Sequence, residues 1–160
     1  NQGDNNMNFP IITAYFDGVC EPVNPGGYAS YGILITKHSK DDYICLLKES
    51  KFVGNGNTIS NNVAEYSGAI RILEFLIEKK LQEEHIIIHG DSKLVIMQMI
   101  GQWQIKQGIY VPFALKCLDL LKGFKNLSWK WIPREENNIC DVLSKDVLKS
   151  LGVKFRIQPE

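Results

Sequence analysis

The feature that most constrains the fold is a change of hydrophobic pattern near residue 60. Before it, three β-rich segments at 11–16, 28–37 and 43–53 follow one another across short turns. Consecutive strands joined in this way pair as antiparallel neighbours. After it, helical and strand-like patterns alternate, which is typical of parallel strands connected by helices. The sequence therefore predicts an α/β fold with a mixed sheet.

The first segment is apolar on both faces, which indicates a central strand, and we expect it to end at Asp17 and Gly18. The glycine- and asparagine-rich stretch 54–57 is expected to end the third strand. The predicted sheet has five strands, three antiparallel and then two parallel, flanked by helices. The remaining predicted elements are helices at 63–80, 93–99, 111–123 and 137–149 and strands at 86–88 and 127–132. Asn137 and Asn138 are expected to cap the last helix.

Length and composition fit one domain. The chain has 160 residues, of which 44% are hydrophobic and 22% charged, and this excludes a disordered chain. We expect one folded domain at 9–150, between a loose N-terminal tail at 1–8 and a C-terminal tail at 151–160. The alternation of apolar residues at 153–157 leaves open whether that second tail adds a strand or packs back on the domain.

Two further patterns concern location. No apolar run approaches the ~20 residues of a membrane span, and no secretory signal pattern opens the chain, so we expect a soluble, cytoplasmic protein. The four cysteines form no zinc-binding spacing and are expected to be free, mostly buried thiols.

The net charge of zero hides an asymmetry. Residues 1–91 carry seven basic and twelve acidic side chains, whereas residues 92–134 carry seven basic side chains and only Asp119 as an acid. Either the second segment is a surface for a polyanion or its lysines are ordinary solvated residues.

Four carboxylates occupy the edges of predicted elements. Asp17 and Asp91 follow strands, and Glu65 and Asp141 lie in the first turns of helices. If the first and fourth strands are neighbours, these groups meet outside the strand ends. Clustered acids repel one another unless a cation neutralises them. Mg²⁺ prefers oxygen ligands, and two such ions suit phosphodiester cleavage.

Each acid also has a purely structural interpretation. Asp17 before Gly18 is a plausible turn, and Glu65 could close a capping box with Asn62. Asp91 and Asp141 could stabilise helix N-termini.

Four sequence blocks, in order, resemble type 1 ribonuclease H. A single match would be weak, but together they span residues 13–143. The blocks are Phe16-Asp17-Gly18 with Asn24-Pro25-Gly26-Gly27; Ser60-Asn61-Asn62-Val63-Ala64-Glu65-Tyr66; Gly90-Asp91-Ser92-Lys93-Leu94-Val95 with Gln98 and Gly101-Gln102-Trp103; and Trp131-Ile132-Pro133-Arg134-Glu135 with Asn138-Ile139-Cys140-Asp141-Val142-Leu143.

The resemblance implies an endonuclease that cuts the RNA strand of an RNA–DNA hybrid and leaves 3′-hydroxyl and 5′-phosphate ends. It implies two Mg²⁺ ions, for which Mn²⁺ can substitute. The sequence leaves the oligomeric state open, and we expect a monomer with no membrane partner. The implied catalytic metal ligands are Asp17, Glu65, Asp91 and Asp141. The implied nucleic-acid contacts are Asn24, Ser60, Asn61 and Asn62. In the basic segment 92–134 we expect further contacts from Trp103, Lys106 and Arg134, with Lys116 and Lys122 as additional candidates.

The residue types suit that work. An asparagine amide both donates and accepts, which matches a 2′-hydroxyl, and a wide minor groove favours recognition by shape. Trp103 is a candidate for stacking on a deoxyribose. Trp129 and Trp131 are expected to be core or strand-face residues, and His89 is expected to be a strand residue and not a base.

The chain departs from the family pattern twice. It lacks the basic insertion that many members carry after the position of Trp103, and no histidine follows His89. It therefore resembles the short archaeal and plant-type members. Two alternatives stay open, namely a relative that also cuts double-stranded RNA and a non-catalytic module that binds hybrids.

Overall fold

The sheet has the strand order β3-β2-β1-β4-β5 in the computed structural model, which describes residues 9–156. β1 and β3 both run antiparallel to β2, while β4 runs parallel to β1 and to β5. This confirms the predicted mixed α/β sheet. The strands are β1 (Ile11–Glu21), β2 (Gly26–His38), β3 (Tyr43–Gly56), β4 (His85–Gly90) and β5 (Asn126–Trp131).

Four helices follow the antiparallel strands, and serine hydroxyls cap the N-termini of two of them. Ser60 Oγ accepts a hydrogen bond from the Val63 amide at 3.2 Å, and Ser92 Oγ accepts one from the Val95 amide at 3.2 Å. Each bond satisfies an amide that has no partner within its helix. The helices are α1 (Asn61–Glu78), α2 (Lys93–Met99), α3 (Val111–Leu121) and α4 (Asn138–Ser150), the last preceded by a 3₁₀ turn at Arg134–Glu136.

Two predicted strand ends are wrong. β1 does not stop at Asp17 and Gly18 but continues to Glu21, because residues 17–21 still pair with β2 after β4 has ended. β3 continues to Gly56 because this stretch pairs with the start of β2, through bulges. In both cases a neighbouring strand outweighs a local turn signal. α3 ends two residues before the predicted position.

The main core lies between the sheet and α1. Fully buried side chains from β1, β2 and β4 meet a row of apolar residues on α1, and Trp129 packs edge-on against Phe16. Burial of this apolar surface supplies most of the driving force for folding. The largest of these side chains are Phe16, Ile33, Tyr66, Leu73 and Ile88.

Two glycines let helices approach the sheet closely. A Cβ atom at Gly18 would lie 2.5 Å from the amide nitrogen of Glu65, and one at Gly32 would lie 2.6 Å from the carbonyl oxygen of Cys140. Real Cβ atoms do not make such contacts with backbone, so only glycine fits at these positions. α1 and α4 therefore press against the strands on either side of Asp17, which pairs with Gly32.

The segment after α4 packs back on the end of β1. The Arg156 guanidinium donates from Nε to Oε1 of the buried Glu21 at 2.9 Å and from Nη2 to the Cys20 carbonyl at 2.8 Å. The Arg156 amide also donates to Glu21 Oε1 at 2.9 Å. Residues 153–156 add no strand, and residues 1–8 and 157–160 lie outside the described part, so the predicted tail boundaries stay predictions.

Two other expectations concern bonding and membranes. All four cysteines are free, and Cys20, Cys117 and Cys140 are buried, as predicted. Within the described residues, no helix has both the length and the apolar character needed to cross a bilayer.

We predict that Arg156→Ala lowers the free energy of unfolding by about 2 kcal/mol at about pH 7, because the buried Glu21 carboxylate loses its charged partner. Burial raises the pKa of Glu21, but the hydrogen bonds from Arg156 outweigh it and hold that pKa below its ordinary value. This stabilisation is therefore present above the ordinary glutamate pKa and is lost as the pH falls through the lowered one.

Denaturant unfolding at about pH 7 and about pH 3 measures this effect, with Lys154→Ala as the matched control on an exposed neighbour. An equal loss at both pH values would contradict a role for the Glu21 charge.

Candidate functional site

The register of β1 against β4 brings two carboxylates side by side. The last parallel pair is Phe16 with Gly90, so Asp17 and Asp91 are the next residues on the two strands. β4 ends there, whereas β1 continues. The two side chains therefore lie at the point where the strands separate, which is where open α/β sheets form ligand sites.

Glu65 joins them from the second turn of α1, and not from the first turn as predicted, because the helix begins at Asn61. Its backbone lies against Gly18, and one oxygen each of Asp17, Glu65 and Asp91 lies within 4.8 Å of the others. Asp17 and Glu65 are buried, and Asp91 is partly buried. The structural alternatives fail for two of them, because Ser60 caps α1 in place of an Asn62–Glu65 capping box, and Ser92, not Asp91, caps α2.

The pKa values of all three carboxyl groups are raised. Burial and then the charge of Asp91 raise the pKa of Asp17 to about 7. Burial and then the charges of Asp17 and Asp91 raise the pKa of Glu65 well above its ordinary value. Burial is also the main cause of the raised pKa of Asp91. The cluster is therefore costly to ionise without a cation.

The donor set suits a hard divalent cation. Oε2 of Glu65 is buried and has no hydrogen-bond partner, and among the described residues no lysine or arginine forms an ion pair with Asp17, Glu65 or Asp91. Carboxylate oxygens at this spacing are the ligands that such cations prefer. The arrangement fits a metal site.

Asp141 lies close to the three but is not one of the group within 4.8 Å. It comes from the first turn of α4, and its negative charge raises the pKa values of Asp17 and Asp91. Its Oδ2 accepts a hydrogen bond from Lys145 Nζ at 3.2 Å. The fourth predicted ligand is thus a neighbour of the cluster that is paired with a lysine.

Asn137 is a site residue that the sequence analysis missed. It was expected to cap the last helix, but its side chain makes no capping bond. Instead the buried amide Nδ2 donates to the Phe16 carbonyl at 2.9 Å and to Asp91 Oδ2 at 3.3 Å. It therefore links the loop before α4 to both strands that carry acids. An asparagine at a helix start predicts a cap equally well, so no sequence signal separates the two roles.

His89 lies in β4 just before the site but does not face it as a base. It is buried, stacks on Tyr15 with ring centroids 4.4 Å apart, and has Nδ1 3.1 Å from the Ala14 carbonyl oxygen. Burial lowers its pKa. The prediction that His89 is a strand residue is confirmed.

The predicted minor-groove residues assemble at the start of α1. Asn24 Oδ1 accepts a hydrogen bond from the Asn61 amide at 2.9 Å, so the turn after β1 meets the helix. Asn24 is exposed and Asn61 and Asn62 are partly exposed, whereas Ser60 is buried with its hydroxyl in use as the cap. Three of the four can therefore reach a ligand without rearrangement.

The predicted basic contacts separate into two groups. Arg134 is exposed and close enough for its positive charge to lower the pKa of Asp91. In contrast, Lys116 pairs with Glu74 at 3.4 Å and Lys122 pairs with Asp119 at 3.4 Å on the surface. Trp103, 44% exposed, and Lys106 lie in the loop 100–110 between α2 and α3.

Trp131 is the last residue of β5 and is exposed there, which is the strand-face position of the two predicted for it. Its ring is 41% exposed, and its Nε1 donates to the Asp91 carbonyl at 3.2 Å. Lys93 Nζ lies 4.8 Å from the centre of the ring. Trp129, on the same strand, is partly buried against the core. Trp131 thus presents an aromatic surface and a cation beside the acid cluster.

Comparison with known proteins gives consistent matches. The family described as reverse transcriptase-like matches residues 15–147. A bifunctional protein of Mycobacterium tuberculosis is 32% identical over 126 residues, which cover 78% of this chain. The chain spans only 32% of the length of that relative.

Solved structures match over most of the chain. The crystal structure of RNase H1 from the halophilic archaeon Halobacterium salinarum has a TM-score of 0.72 and 28% identity, over 88% of this chain and 98% of that one. LC11-RNase H1 in complex with an RNA/DNA hybrid has a TM-score of 0.69 and 30% identity, over 88% and 99%.

We predict that Asp17→Asn stabilises the metal-free protein at about pH 8 by about 1–3 kcal/mol, because it removes a carboxyl group whose ionisation costs free energy in the folded state. The folded protein binds more protons than the unfolded one between the ordinary pKa of 3.8 and the raised value of about 7, so stability falls as the pH rises through this interval. The advantage of Asp17→Asn should shrink toward zero at about pH 4.

Unfolding curves in a chelator at several pH values measure this, with Asp146→Asn on the exposed surface of α4 as the control. A constant difference between the two proteins at every pH would contradict the electrostatic explanation.

We predict that Asn137→Ala weakens divalent-cation affinity by about 10–100-fold, because Asp91 loses the amide that orients it. Titration calorimetry with Mn²⁺ measures this. Asn138→Ala, at an exposed neighbouring position, is the control and should leave the affinity unchanged. Equal affinities for Asn137→Ala and Asn138→Ala would rule out the orienting role.

Proposed function

The chain belongs to the reverse transcriptase-like family and resembles its type 1 ribonucleases H, and on that premise we propose that it hydrolyses the RNA strand of RNA–DNA hybrids. The observation that carries the proposal is the cluster of Asp17, Glu65 and Asp91 within 4.8 Å at the separation of β1 and β4. A binding module would have no use for three acids whose charges destabilise the fold. A hybrid is also the ligand of LC11-RNase H1, to which this chain is similar.

We infer that Asp17, Glu65 and Asp91 hold Mg²⁺, with Asp141 completing a site for two ions and Mn²⁺ able to substitute. When bound, the cations supply positive charge that neutralises the carboxylates and stabilises the negative charge that develops on the phosphate. Asp141 is available to such a site once its ion pair with Lys145 opens, and a single, partly exposed pair within one helix costs little to break.

The residues of this chain position the substrate around that site. Asn24, Asn61 and Asn62 offer amide donors and acceptors that match 2′-hydroxyls across a wide, shallow minor groove. Arg134 lies beside Asp91, where it can pair with a phosphate of the cut strand. Glu65 is proposed to face the 2′-hydroxyl next to the scissile phosphate as well as the metal.

The proposed reaction adds water to the phosphorus and breaks its bond to the 3′ oxygen. The products would then be a 3′-hydroxyl and a 5′-phosphate. The 3′ oxygen leaves as an alcohol after taking up a proton. The expected cytoplasmic location and monomeric state stay predictions.

We predict that the protein cleaves a labelled hybrid only when Mg²⁺ or Mn²⁺ is present. Asp17→Asn and Asp91→Asn should each lower the rate by at least about 100-fold, because each removes a group that stabilises the transition state. Asp146→Asn is the matched control, because it changes an exposed aspartate that is not one of the four predicted metal ligands.

The same titration on double-stranded RNA and on double-stranded DNA separates the alternatives. Cleavage of both the hybrid and the RNA duplex would indicate the broader enzyme, whereas tight hybrid binding without turnover would indicate a binding module. Undiminished cleavage by both acid variants would overturn the proposed site.

A further inference from the structure

The side chain of Gln98 bridges three parts of the chain beside the site. It lies in α2, seven residues after Asp91, and is only 3% exposed. Its Oε1 accepts a hydrogen bond from Tyr66 Oη at 2.6 Å. Its Nε2 donates to the Gln104 carbonyl at 3.0 Å and to Tyr110 Oη at 2.9 Å. Both protons of the amide are therefore used: the oxygen is bonded to α1, and the two protons are bonded to two positions of the loop 100–110.

One end of this bridge is rigid. Tyr66 is fully buried in α1, directly after Glu65, and belongs to the main core. Its ring stacks on that of Tyr110, with the centroids 5.9 Å apart and the planes 4° from parallel. A tyrosine held on all sides by core packing is a fixed acceptor and donor position.

The other end of the bridge is the loop 100–110, which few backbone hydrogen bonds hold in place. Residues 100–110 contain no helix or strand, and their described backbone–backbone hydrogen bonds involve 100–103 at one end and 108 and 110 at the other. Within the described chain, none involves residues 104–107. In that stretch Gln98 supplies a hydrogen bond to the backbone, at Gln104, and Ile105 supplies an apolar contact with the core.

That loop carries Trp103 and Lys106, which the sequence predicts as contacts of the hybrid. We propose that Gln98 is a positioning residue that holds the 100–110 loop in one conformation against α1, so that these two side chains meet the hybrid already oriented. The inference rests on the proposed function. An oriented loop loses less conformational entropy on binding, and this compensates in part for the missing basic insertion.

Gln98 acts on binding and not on the reacting groups. Its amide contacts Tyr66, Gln104 and Tyr110, and none of the four acids. Loss of the amide should therefore raise KM for the hybrid and leave kcat nearly unchanged. A residue that merely stabilised the fold would change neither constant for the molecules that remain folded.

The test compares Gln98→Met, which has nearly the same shape but no amide, with Gln107→Met at an exposed position of the same loop. We expect Gln98→Met to raise KM by about 5–10-fold, the effect of one or two buried hydrogen bonds, with kcat within about twofold. Amide hydrogen exchange at 101–103, whose amides donate to the carbonyls of Gln98 and Met97, should quicken by a similar factor in the absence of substrate. Gln107→Met should alter neither quantity.

A second variant keeps the test valid if Gln98→Met folds poorly. Gln98→Glu retains an oxygen for Tyr66 but cannot donate to the Gln104 carbonyl, so it should release the loop and keep the link to α1. Arg156→Ala, which removes the contacts with Glu21 and Cys20 and none with the loop 100–110, controls for lost stability.

Unchanged exchange in the loop of Gln98→Met or Gln98→Glu would overturn the positioning role. A fall in kcat at unchanged KM would also overturn it, because it would assign Gln98 to the chemistry. If the unmodified protein cuts no hybrid, the proposed function fails, and the exchange comparison alone then decides whether Gln98 holds the loop.

Discussion

The parallel pairing of β1 with β4 is the constraint on which the site depends. It stops at Phe16 and Gly90, and the next residue on each strand is an aspartate. A shift of one residue in this register would turn one of the two carboxylates to the other face of the sheet. Pairing in the sheet, and not any local motif, thus brings together two acids that are 74 positions apart in the sequence.

The same closeness makes the site a source of instability. Three carboxyl groups with raised pKa values lie in buried or partly buried positions, and the surrounding packing has to hold them there. The glycines at 18 and 32 are part of that packing, because they let α1 and α4 come against the strands at this level. Functional sites commonly hold charges in arrangements that a fold optimised for stability alone would avoid.

Much of this could be predicted from the sequence. The element order gave the mixed sheet, and the predicted bounds of α2, 93–99, are those observed, although its cap is Ser92 and not Asp91. The three clustered acids followed from their positions at element edges. The bounds of β1 and β3 could not be predicted, because pairing with β2 carries both strands through turn-forming residues.

Side-chain contacts between residues far apart in the sequence also could not be predicted. Asn137 has the residue type and position of a helix cap, and only the fold shows that its amide turns to Phe16 and Asp91. Gln98 is a polar residue in a short amphipathic helix, and its contact with Tyr66 depends on how two helices pack. Such contacts are decided by tertiary packing, which local patterns do not contain.

One consequence concerns the half of β1 that extends beyond β4. A strand edge with free amides and carbonyls invites a strand from another molecule, and aggregation can follow. Here the Phe16 carbonyl accepts from Asn137, the Gly18 amide donates to the Asp17 carboxylate, and the Cys20 carbonyl accepts from Arg156. Side chains thus form hydrogen bonds with backbone groups at alternate positions where a strand from another molecule would pair. These hydrogen bonds disfavour self-association at the sheet edge beside the acid cluster.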